Sequence, residues 1–142
     1  MKTVVGFGGI PLALTLVLAA GCATMGTTLS DEELVRMQID RWAQGLIEED
    51  MDGFLSTISD SFATSMAPDK EALAGFISQA IDAGYLDGAE IDLQDAQFNF
   101  DGDLCSVYPI DLMSMAGSVS VELIFTKEAG QWMITGMEVD GL

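Results

Sequence analysis

Residues 104–126, LCSVYPIDLMSMAGSVSVELIFT, decide how this chain folds. In the second half, Val119, Val121, Leu123 and Phe125 alternate with Ser118, Ser120 and Glu122. A period of two sends one set of side chains into a core and the other into water, which predicts an antiparallel strand with one wet face. Ala116-Gly117 is a turn, and Leu104 to Met115 reads as a second long strand running back. Upstream of it, Asp101-Gly102 is a tight-hairpin signal. Downstream, Glu128-Ala129-Gly130 turns into a last strand over Trp132 to Val139. Between Glu90 and the hairpin, Ile91 and Leu93 share one parity while Ala96, Phe98 and Phe100 share the other. A slip of phase near Gln94-Asp95 predicts a β-bulge in the first strand.

Before Glu90 the apolar period is helical. Ser30 followed by Glu33 is a capping box, with Leu29 and Leu34 placed as a hydrophobic staple. Val35, Ile39, Trp42, Ala43, Leu46 and Ile47 form one face of a long first helix that fades in Glu48-Glu49-Asp50. Asp52-Gly53 opens a shorter helix bearing Phe54, Leu55 and Ile58, and Phe62 to Met66 predicts a brief strand. Pro68-Asp69 starts a third helix with Leu73, Phe76, Ile77, Ala80 and Ile81 on one face, stopped at Gly84. The order is therefore three helices and then a meander of four antiparallel strands, an α+β domain.

The chain has 142 residues, 23 acidic and 5 basic, no histidine, and a net charge of −18. A surface so acidic repels phosphates, which excludes nucleic acid as a partner. Cys22 and Cys105 are the only cysteines. Cys105, alternating with Val107, reads as a small buried core residue. With no histidine to lower its pKa, it is a poor nucleophile.

Met1-Lys2 leads into an apolar run from Val4 to Ala20 that ends in Leu18-Ala19-Ala20-Gly21-Cys22. A positive start, an apolar middle and small residues at the end have the order of a secretory signal. With a cysteine at the cleavage point, the segment resembles a bacterial lipoprotein signal. The resemblance implies removal of residues 1 to 21, lipid on Cys22, and a membrane partner held through that lipid. Ala23 after the cysteine, rather than Asp, implies the outer membrane, with the domain in the periplasm. Removing 21 of 142 residues leaves 121, in which Arg36, Arg41, Lys70 and Lys127 face all 23 acids for a net charge of −19. Residues 22 to 30 read as a tether and residues 31 to 142 as one domain.

RWAQGL at 41–46, EEDMDGF at 48–54, DKEALAGFI at 69–77, FDGDLCSV at 100–107 and GQWMITGMEV at 130–139, in that order, make the domain similar to the nuclear transport factor 2-like superfamily of SnoaL-like and ketosteroid isomerase-like proteins. The resemblance implies helices wrapped by a strongly curved sheet into a cone, an apolar pocket at its open end, and a homodimer through the sheet. It implies one of two roles: a non-catalytic module for a small apolar ligand or a protein partner, or an isomerase, cyclase or hydrolase with an inward carboxylate as general base. Asp111, on the parity of Cys105 and Val107, is the candidate base if Pro109 introduces no bulge. Trp42, Tyr85, Tyr108, Met113 and Trp132 are the candidate pocket residues. Tyr108 falls on the face opposite Asp111, and Trp132 with Ile134 reads first as packing against the first helix.

No metal or other cofactor is expected. Glu48-x-Asp50-x-Asp52-Gly53 resembles the start of an EF-hand loop, but Ser59 stands where the bidentate glutamate must sit. Met113, Met115, Met133 and Met137 offer soft thioethers, yet without histidine or a dense methionine tract they read as core or pocket lining.

Overall fold

The structure, a computed structural model, describes residues 28 to 142. The expected signal segment, the lipidated Cys22 and most of the tether lie outside the described residues. Helices α1 (Asp31–Ile47), α2 (Met51–Leu55) and α3 (Lys70–Asp82) precede strands β1 (Glu90–Asp92), β2 (Gln97–Asp101), β3 (Leu104–Ser114), β4 (Gly117–Glu128) and β5 (Gln131–Asp140). One antiparallel sheet runs β1-β3-β4-β5, with β2 also paired to β3. The expected α+β architecture is what forms.

Local chemistry places each helix start. The Ser30 hydroxyl accepts from the Glu33 N–H at 3.2 Å, and the Glu33 carboxylate accepts from the Ser30 N–H at 2.7 Å. Such a cap is worth about 1 kcal/mol. Asp50 caps α2 through the Gly53 N–H at 3.1 Å, so the acidic run that resembles a calcium loop serves as a helix start. Asp69 caps α3 through the Ala72 N–H at 2.7 Å. Along α1, Val35, Ile39, Trp42 and Leu46 are buried. Gly45 lies on the same side, and a Cβ there would meet the Phe54 backbone nitrogen at 2.7 Å, so glycine lets α1 and α2 touch backbone to backbone.

Two expectations give way. Residues 62 to 66 form no strand. They close a local turn in which the Thr64 N–H donates to the Ala67 carbonyl at 2.9 Å and the Ala67 N–H to the Thr64 hydroxyl at 3.0 Å. Ile58 bridges Ile134 in parallel, and a single hydrogen bond from the Ala63 N–H to the Thr135 carbonyl at 3.3 Å continues the contact with β5. The phase slip near Gln94-Asp95 is also larger than a bulge. Asp92 pairs with Asp111 and Gln97 with Tyr108, so four residues stand across from Pro109 and Ile110 and the strand divides into β1 and β2.

True bulges occur twice further in. On β3, Val107 pairs with Leu123 and Ile110 with Val121, which leaves Tyr108 and Pro109, joined by a cis peptide, across from Glu122 alone. On β5, Ile124 pairs with Gly136 and Phe125 with Ile134, so Thr135 is the extra residue. An extra residue bends a strand and exchanges its two faces. Cys105 and Val107 are buried before the β3 bulge, and Ile110 and Leu112 turn inward after it; on β5, Trp132 and Ile134 give way to Met137 and Val139.

The bulges divide the cone into a filled end and an open one. At the filled end, Asp31 accepts from both the Trp132 indole N–H and the Lys127 ammonium, each at 3.0 Å, and Gln38 donates to the Trp132 carbonyl at 2.7 Å. Phe100 meets the Trp132 ring edge-on with centroids 5.6 Å apart. The buried Cys105 belongs to this end, and desolvation, reinforced by the Glu32 charge, pushes its thiol up to about 11.

Gly45→Ala should destabilise the domain. The methyl must push Phe54 away, an overpacking cost of about 1–3 kcal/mol that outweighs the roughly 1 kcal/mol of helix propensity alanine adds. Urea unfolding measures the balance, and a variant as stable as the parent would mean that the two helices can separate freely. Asp31 gives a pH-dependent prediction. The Trp132 indole first and then Lys127 hold its carboxyl below its ordinary value of 3.8. A depressed folded pKa adds stability above the ordinary carboxylate range and loses it as pH falls through the folded value. The melting-temperature gap between the parent and Asp31→Ala should therefore be widest near neutrality and narrow below pH 3.8. A gap independent of pH would sink the ionic part of this account.

Candidate functional site

Beyond the bulges the sheet curves away from the helices and leaves a cavity of about 600 Å³. Trp42 and Leu46 of α1 and Phe54 of α2 form its floor. Phe76, Ile77 and Ala80 of α3 make one wall, Leu112, Val119, Val121, Met137 and Val139 of the sheet make the other, and Tyr85, Ala116 and Leu142 stand at the mouth. Each position follows from the elements. Trp42 and Leu46 are the last inward residues of the α1 face. Leu112, Met137 and Val139 face inward only because bulges precede them. Tyr85 follows Gly84, whose φ of +78° turns the chain back from α3 toward the sheet.

The cavity lining carries no charged side chain. The hydroxyls of Tyr85, Ser114 and Ser118 are its side-chain oxygens, and they belong to the outer part of the cavity. Deep inside, Trp42 is 1 % exposed and its Nε1 has no hydrogen-bond partner in the protein.

The β3 bulge corrects the expectation for Asp111. Parity from Cys105 would aim it inward, but the extra residue at Tyr108-Pro109 turns it to the outer face of the sheet. There Ser120, directly across on β4, donates to Asp111 Oδ1 at 2.8 Å. Asp111 shares a shallow, open depression of about 450 Å³ with Asp92 and Asp140. Tyr108 lies on this outer face too. Its hydroxyl donates to Asp140 Oδ2 at 3.1 Å, and that hydrogen bond, with the carboxylate charge behind it, raises the phenol above its ordinary value.

Of the five expected pocket residues, the cavity brings Trp42 and Tyr85 together. Met113 belongs to the outer face, displaced by the same bulge; Tyr108 lies there by simple alternation from the buried Val107, and Trp132 is buried at the filled end. Sequence reasoning missed Phe76, Leu112 and Val139 as lining residues, while Met137, read as core or pocket lining, is one of them. Phe76 could have been found from the width of the α3 apolar face, which is broader than the core covers and leaves the ring half exposed.

The outer sheet face is no apolar counterpart to the cavity. Asp92, Asp111, Glu122 and Asp140 lie on it, and like charges would oppose pairing two copies through this surface. Among the described residues no three acidic or cysteine side chains are placed to hold a metal ion. No described helix is long and apolar enough to cross a membrane.

No family model and no curated protein matches the chain in sequence. Solved structures do match. A protein of unknown function with a cystatin-like fold from Nostoc punctiforme PCC 73102 superposes with a TM-score of 0.65 at 18% identity, over 80% of this chain and 93% of that one. A nuclear transport factor 2-like protein of unknown function from Pseudomonas putida KT2440 gives a TM-score of 0.65 at 16% identity, over 81% and 90%. A de novo designed protein with a curved β-sheet gives 0.58 at 14% identity, over 75% and 99%. A shared backbone at such low identity speaks for architecture and not for chemistry. By its helices, its bent antiparallel sheet and these superpositions, the chain has the cystatin-like cone fold of nuclear transport factor 2-like proteins.

Proposed function

We propose that this chain is a lipid-anchored envelope protein whose cone binds a small apolar ligand and performs no chemistry on it. One observation carries the reading. The cavity of about 600 Å³ is lined by aliphatic and aromatic side chains, with hydroxyls only toward its mouth and no carboxylate, thiol or cationic side chain on its wall. Its size falls within the roughly 300–1,000 Å³ of small-molecule sites, and burial of apolar ligand surface supplies the driving force. A general base must come within hydrogen-bond reach of the proton it takes. Asp111, held by Ser120 on the far side of the sheet, is not so placed. The isomerase, cyclase or hydrolase alternative therefore has no carboxylate in the cavity to rest on. The AAGC sequence at 19–22 supports anchoring through lipid on Cys22, with the domain in the periplasm under an outer membrane.

Binding is tested with Nile red, a neutral apolar dye that brightens on leaving water. The parent should bind it saturably. Ala80→Trp, which puts an indole into the cavity from α3, should weaken binding by at least about tenfold while the thermal melt stays cooperative, because the ligand and the new ring compete for one volume. Equal binding by a folded Ala80→Trp variant would remove the cavity as the site. Anchoring has its own test. Cys22→Ser should block processing or release the protein from membrane fractions, and a variant that is processed and sediments like the parent would refute the lipid anchor.

A further inference from the structure

The floor of the cavity contains a donor without an acceptor. Trp42 is buried among apolar neighbours, and its indole N–H has no partner in the protein. The other indole shows the usual arrangement, since Trp132 donates to Asp31 at 3.0 Å. Leaving a buried donor unpaired costs about 1–3 kcal/mol, so an unpaired one needs a reason. Phenylalanine would fill much of the same space with no donor to satisfy. Water is a poor partner here, because a buried water needs two to four polar contacts and the side-chain oxygens of the lining, on Tyr85, Ser114 and Ser118, belong to the outer part of the cavity.

Resting on the cavity as a ligand site, we propose that its ligand is an uncharged apolar molecule bearing a hydrogen-bond acceptor, such as a carbonyl, which is received by Trp42 Nε1–H. Nε1 is closed off in the free protein, so lining side chains move aside as the acceptor enters. The unbranched, adaptable Met137 is suited to that movement. The charge pattern sets the other half of the selectivity. The basic side chains of the domain are committed elsewhere or lie off the cavity: Arg36 pairs with Glu32, Lys70 with Asp60 and Lys127 with Asp31, and Arg41 is not part of the wall. An anionic ligand would enter an apolar cavity with no countercharge, in a chain of net charge −18.

Indole N–H signals of the ¹⁵N-labelled protein test this. The two tryptophans are told apart by Asp31→Asn, which moves only the Trp132 signal. The probes are 2-acetylnaphthalene, 2-isopropylnaphthalene and 2-naphthoate, close in size and differing in acceptor and charge. The ketone should shift the Trp42 proton downfield by roughly 0.5 ppm or more and bind about three- to tenfold more tightly than the hydrocarbon, the worth of one hydrogen bond. The Trp132 signal should stay in place, and the naphthoate should bind most weakly. If ketone and hydrocarbon bind alike and the Trp42 signal ignores the ketone, the donor role is wrong while the cavity remains a ligand site. Naphthoate binding as tight as the ketone would overturn the exclusion of anions. If none of the three, nor Nile red, binds, the cavity reading and this inference fall together.

Discussion

A sheet that must press against a helix at one end and stand clear of it at the other has to bend, and this fold rests on how that bend is made. Two extra residues do it, one at Tyr108-Pro109 on β3 and one at Thr135 on β5. They lie on either side of β4, one across from Glu122 and the other across from the Ile124–Phe125 step, so the curvature passes through three neighbouring strands over a short stretch of β4. Pro109 has no N–H to give to the ladder, which suits a position where the ladder is already broken. At the second bulge, Gly136 leaves room for Ile124, whose Cδ1 would lie 3.2 Å from any Cβ placed there. Below this level, helix α1 and the sheet are in full contact around Trp132, Phe125 and Ile39. Above it the same two layers diverge, and the cavity is the space between them.

The bulges also decide which chemistry faces which way. Without the extra residue on β3, Asp111 would sit inside an apolar chamber and Leu112 in water. With it, the carboxylate joins Asp92 and Asp140 on the wet face and the leucine lines the cavity. One inserted residue thus separates a cone with an internal carboxylate from one with a wholly uncharged wall. The distinction matters more for function than the fold itself, which a designed sequence with no natural history adopts as well.

Much of the architecture was legible in the sequence because it is specified locally. The Ser30–Glu33 box, the Asp69 cap and the alternation from Val119 to Phe125 each announce themselves within a few residues, and each forms. What escaped depends on partners far along the chain. LCSVYPIDLM is apolar on both parities around Tyr108-Pro109, so its pattern fits a straight strand and a bulged one equally well, and the choice is made by pairing with Val121 and Leu123. The segment from Phe62 to Met66 has the composition of a strand, but Phe62 and Thr64 donate to local carbonyls and only the Ala63 N–H reaches the sheet, at the Thr135 carbonyl. Trp42 was legible as a pocket residue because it lies on the regular apolar face of α1, and Tyr85 because it follows the Gly84 stop that ends α3. Met113 was misplaced because it lies beyond the bulge, and Tyr108 because its own parity already sets it on the face away from Val107.

The filled end has a consequence for how the molecule is oriented. The described chain enters the domain at Ser30, beside the bond between Asp31 and Trp132, while α1 runs about 25 Å before its last turn reaches the cavity floor. The described domain therefore begins behind the cone, and the mouth between Tyr85 and Leu142 opens in the opposite direction. The domain is vectorial: the start of α1 at the back, the cavity mouth at the front, with a packed plug of Trp132 and Phe125 between them. The way into the cavity therefore lies on the side of the domain away from Ser30.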